Sequence, residues 1–75
     1  MKKLSSLTPG QKGIIRKIES AEARLKLLEM GCIPGEEIIV YRIAPMGDPL
    51  SIYVAGYNLS IRKEEADAVW VDEQN

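Results

Sequence analysis

Few side chains in this 75-residue sequence are equipped for chemistry. There is no histidine, the commonest general base, and Cys32 is the one thiol. A Cys/His zinc site is therefore out of reach, as is an internal disulfide. The eleven carboxylates include the adjacent pairs Glu36-Glu37 and Glu64-Glu65 and the isolated Asp48 and Asp67. Neighbours on a strand point to opposite faces, so Glu36 and Glu37 cannot share a site. No spacing resembles a calcium loop or a di-metal carboxylate motif. The six glycines all read as turn residues, without a phosphate-cradling pattern. These residues predict no catalytic, cofactor or metal site, and hence a binding protein and not an enzyme.

Composition narrows the class of partner. Hydrophobic residues make up 45% of the chain, enough for a folded core built from aliphatics, since phenylalanine is absent. At this length one domain over residues 1–75 is the expectation. Ten basic and eleven acidic residues give a net charge of −1, and the bases are scattered. Nucleic-acid binding needs basic residues gathered on one face, so no nucleic-acid partner is expected. Met1-Lys2-Lys3 is not followed by an apolar signal stretch. No aliphatic or aromatic run exceeds four residues, as at Ile38 to Tyr41, far short of the ~20 residues that span a bilayer. A cytoplasmic protein without direct membrane insertion is expected, recruited to the membrane's inner face only through a partner.

The elements that must position any site are well punctuated. Thr8-Pro9-Gly10 reads as a turn, and Gly13 to Ile18 as a β-branched strand. Ser20 is a good N-cap, and Glu22 favours the first turn of a helix from Ala21 to Met30. Gly31 suits the left-handed C′ position, and Pro34-Gly35 a type II turn. At C″, Cys32 should pack back on Leu27 as a buried structural cysteine. Strands are expected at Glu36–Ile43, Leu50–Ala55, Leu59–Arg62 and Val69–Val71. A hairpin turn falls at Gly56-Tyr57-Asn58, and Lys63–Asp67 forms one helical turn. The fold class is all-β with a small helical insertion. It reads as an SH3-like small barrel of about five strands, with one helix after the first strand and a helical turn before the last. A five-stranded OB-type barrel is the alternative. Closure of such a barrel would remove exposed strand edges.

The helix carries more apolar surface than one packing face needs. Ala21, Leu25 and Leu28 lie within about 60° of one another, a stripe suited to the barrel. Ala23, Leu27 and Met30 fill much of the rest. Two readings remain for Leu27 and Met30: the Leu4–Leu7 segment covers them, or they form a docking surface with Arg24 beside them.

Taken in order, these motifs resemble a known family. Leu7-Thr8-Pro9-Gly10-Gln11-Lys12-Gly13 is followed by Leu28-Glu29-Met30-Gly31-Cys32-Ile33-Pro34-Gly35. Then come Ala44-Pro45-Met46-Gly47-Asp48-Pro49-Leu50 and Val54 to Lys63, with Val69-Trp70-Val71 at the end. The pattern is similar to the FeoA family of the bacterial ferrous-iron transport system, over essentially the whole chain. Cys32 departs from the larger apolar residue usual there. The resemblance implies an SH3-like barrel and a cytosolic accessory role, binding the cytosolic GTP-binding region of the permease FeoB. It leaves open whether transport is stimulated or restrained, and whether the chain self-associates. The same domain ends DtxR-type iron-dependent repressors, which gives a regulatory barrel as the alternative. Met1 stands only a few residues before the barrel, so that alternative needs a longer chain. A weak direct metal sensor with oxygen ligands is a third reading.

Overall fold

In a computed structural model, which describes residues 1–74, one antiparallel sheet curls around an aliphatic core. In chain order the elements are β1 (Lys2–Lys3), a 3-10 turn (Leu4–Ser6), β2 (Lys12–Ile18), α1 (Ala21–Glu29) and β3 (Glu37–Ile43). They continue with β4 (Leu50–Val54), β5 (Tyr57–Ile61), α2 (Lys63–Asp67) and β6 (Val69–Gln74). The six strands run in the order β1-β6-β2-β3-β4-β5, so β1 and β5 are free edges. The barrel is thus left open between them, in contrast to the expected closure. Two lysines carry no β pattern of their own, so β1 owes its extended form to pairing with β6.

Alternation explains which side of each strand turns inward. Leu50, Ile52 and Val54 of β4 are buried while Ser51 and Tyr53 are not, the period of two that a half-buried strand requires. Ile38 and Val40 of β3 and Val69 and Val71 of β6 follow the same rule. Leu4 and Leu7 enter the same core, with the 3-10 turn packed on α2 and β6. That segment therefore closes the sheet end near α2. Gly13 is no turn residue: it lies within β2, where an added Cβ would stand 2.9 Å from the Asp72 carbonyl oxygen.

The hairpin turn also shifts from its expected place. Its two central residues are Ala55 and Gly56, with φ of +51° and +83°. A positive φ at both positions defines a type I′ turn, whose twist matches that of the flanking strands. The signal was hidden because alanine rarely takes a left-handed conformation.

Candidate partner-binding surface

The helix α1 is the element on which the candidate surface depends, and its ends fix its rotation. At the start, the Ser20 hydroxyl accepts the Ala23 N–H at 3.2 Å. At the end, Gly31 takes φ +92°, the Cys32 N–H donates to the Leu27 carbonyl at 2.9 Å, and the Gly31 N–H to Leu28 at 3.1 Å. This is the complete Schellman pair, and its usual companion is an apolar contact between C3 and C″. Here those residues are Leu27 and Cys32, both in the core.

Once Leu27 points inward, helical geometry assigns the rest. Ala23 and Met30, at i−4 and i+3, are partly buried against the core. Leu28 and Leu25 lie roughly 100° and 160° around the axis and face out; Leu25 is 69% exposed and Leu28 37%. The expected orientation is therefore corrected. The Ala21–Leu25–Leu28 stripe is the outer face, and Leu27 is entirely buried and unavailable to a partner. Met30 is half-buried, and Arg24 donates from its Nη2 to the Ile18 carbonyl at 3.2 Å. Arg24 stays exposed beside the outer stripe, whereas Leu27 and Met30 belong to the inner one.

Two further features position the helix. At its C-terminal end, a Cβ added at Gly31 would stand 3.1 Å from the Ala55 Cβ, so α1 ends close to the β4–β5 turn. On its flank, the Lys26 ammonium meets Glu65 of α2 at 2.6 Å. That contact holds the Glu65 carboxyl below its ordinary value of 4.5, against the opposing effect of desolvation. The Glu65 carboxylate also accepts the Arg62 N–H at 2.8 Å, which ties the start of α2.

Several polar groups elsewhere are also committed to structure. Ser5 donates to Asp67, and with Lys63 nearby this lowers the Asp67 carboxyl from its ordinary 3.8. Asp48 accepts the Lys63 N–H at 2.9 Å, linking the 44–49 loop to α2. Burial pushes the Cys32 thiol up to about 11, which leaves it protonated at neutral pH. Among the described residues no three of His, Cys, Asp or Glu converge as a metal site would require. No helix in those residues is long and apolar enough to cross a membrane.

Comparison with known proteins agrees with this architecture. A family model described as the FeoA domain matches residues 2–73. The chain belongs to the FeoA family. It is 35% identical over 71 residues to an Fe(2+) transport protein A/Fe(2+) transporter FeoB fusion protein of Porphyromonas gingivalis, covering 93% of this chain and 8% of that one. The chain thus corresponds to a small part of the fusion's length. Among solved structures, an iron uptake regulatory protein (FeoA) is 39% identical with a TM-score of 0.88, covering 97% of both chains. A Stenotrophomonas maltophilia FeoA complexed with zinc, described as a prokaryotic SH3 domain protein, is 26% identical with a TM-score of 0.83, over 96% of this chain and 91% of that one. The fold is SH3-like, in a family linked to ferrous iron transport. A manganese-dependent transcriptional repressor shares the fold at 17% identity and a TM-score of 0.89, with 97% of this chain covering 36% of that one.

Proposed function

We propose that this chain is a cytoplasmic, non-catalytic accessory protein of ferrous iron uptake. It binds the cytosolic part of the permease FeoB through the outer face of α1, Leu25 and Leu28 with Arg24 beside them. The observation that carries this reading is the relative in which transport protein A and FeoB are one polypeptide. Fusion holds the two at high effective concentration, which profits a pair that must touch. The choice of surface rests on two leucines exposed on a helix whose other face is already buried. Singly exposed leucines are ordinary, but an i, i+3 pair on one outer helix face is the pattern by which helices dock.

The test is a binding titration of the full chain against the cytosolic region of FeoB, with and without GTP. Saturable binding in at least one nucleotide state is expected, and no binding in either contradicts the proposal. The second reading, a regulatory barrel of a DtxR-type repressor, is favoured only by the shared fold. A winged-helix region encoded in the same reading frame would assign that role instead. For a metal sensor, calorimetry with ferrous iron is expected to show no binding tighter than millimolar.

A further inference from the structure

The two free edges of the sheet are built differently. The edge strand β1 has two residues, both lysines. Short length and charge are devices that keep an edge from pairing. The other edge, β5, runs Tyr-Asn-Leu-Ser-Ile, with neither charge nor proline and without a register shift against β4. It lacks every one of those devices except modest length.

The turn before β5 determines which backbone groups face outward. A type I′ turn closes on a hydrogen bond between its first and fourth residues, here Val54 and Tyr57, which are register partners. Bonded and non-bonded pairs alternate along an antiparallel ladder. Ile52 with Leu59 and Leu50 with Ile61 are then bonded pairs, while Tyr53 with Asn58 and Ser51 with Ser60 are not. The N–H and C=O of Asn58 and Ser60 consequently point away from β4, towards the free edge. Both residues are exposed, and no strand among the described residues pairs with them there.

We propose that β5 pairs with β5 of a second copy of this chain, antiparallel about a twofold axis at Leu59. The outward groups lie one residue either side of Leu59, which makes the edge self-complementary. Asn58 faces Ser60 of the second copy, Ser60 faces its Asn58, and each pair exchanges two backbone hydrogen bonds. Leu59 meets its own equivalent at the closer non-bonded spacing, ~4.5 Å between Cα atoms. Tyr57, 65% exposed, comes to lie opposite Ile61 of the second copy. No charged side chain enters the contact, so the symmetric arrangement brings no like charges together. Two β1 edges would instead bring four lysines face to face. An isologous contact of this kind closes on itself as a dimer.

Sedimentation velocity on the full chain, from micromolar to millimolar, is the test. A reversible, concentration-dependent dimer is expected. Asn58→Pro removes an outward donor and no bond to β4, as proline on an edge strand can. It should raise the dimer dissociation constant at least tenfold while the circular dichroism stays native. If that variant does not fold, Ser60→Lys should weaken the dimer in the same direction by placing like charges across the axis. A chain that stays monomeric over the whole range overturns the proposal, as does a dimer that tolerates both substitutions. A monomer whose Asn58 and Ser60 amides gain exchange protection only with FeoB's cytosolic region also overturns it, and gives the edge to the permease.

Discussion

Leu27 and Leu25 stand two residues apart on one helix, yet the first is fully buried and the second is 69% exposed. Both belong to apolar stripes of similar width, so hydrophobic pattern alone does not say which stripe faces the sheet. The helix ends decide it. The Schellman cap at Gly31 brings Leu27 onto Cys32, and the Lys26–Glu65 contact holds the flank to α2. Rotation of a short helix is thus set by caps and flanking contacts, and whatever apolar surface is left over becomes available to a partner.

Substituting the two faces separately breaks this comparison most sharply. Leu27→Ala should cost ~2–5 kcal/mol, the range for emptying a buried leucine site. Leu25→Ala should stay within about 0.5 kcal/mol of wild type, because it removes no core contact. Urea denaturation of both variants measures the difference, and similar losses would mean that α1 is rotated from its described position. Next in size, Gly31→Val should lose on the order of 1–3 kcal/mol, because a β-branched residue is strained at φ +92°. The added Cβ would also press on Ala55 at 3.1 Å.

Smaller still is the contribution of Glu65. Its carboxyl is depressed in the fold, so its stabilisation is present above its ordinary value of 4.5 and fades as pH falls through the folded value. Asp67, depressed from 3.8, acts in the same direction slightly lower. Glu65→Gln should lose about 1 kcal/mol at neutral pH. Below pH ~4.5 its stability should fall less steeply than that of wild type, as denaturant midpoints across the acid range can measure. The smallest effect is kinetic: Cys32, buried and with its pKa raised to about 11, should react with a thiol reagent far more slowly folded than in denaturant.

Much of the fold was legible because its turns carry local chemistry. Ser20, Gly31 and Pro34-Gly35 mark real boundaries, and the alternation of Leu50, Ile52 and Val54 names the inner face of β4. The Ala55-Gly56 turn was obscured by an alanine in a glycine-like conformation. The pairing of β1 with β6 joins chain ends, and no local pattern encodes it. The outer face of α1 is the instructive case. The contact between Leu27 and Cys32 follows from the cap rule, and it already implies that Leu25 and Leu28 face out. Periodicity taken alone pointed the other way.

The comparison of faces comes to a point in one binding measurement. The double variant Leu25→Glu, Leu28→Glu should retain wild-type stability within about 1 kcal/mol, since neither side chain lies in the core. Titrated against the cytosolic region of FeoB, it should bind at least tenfold more weakly than the wild-type chain, a loss of ~1.4 kcal/mol or more. A folded double variant with unchanged affinity would contradict the account.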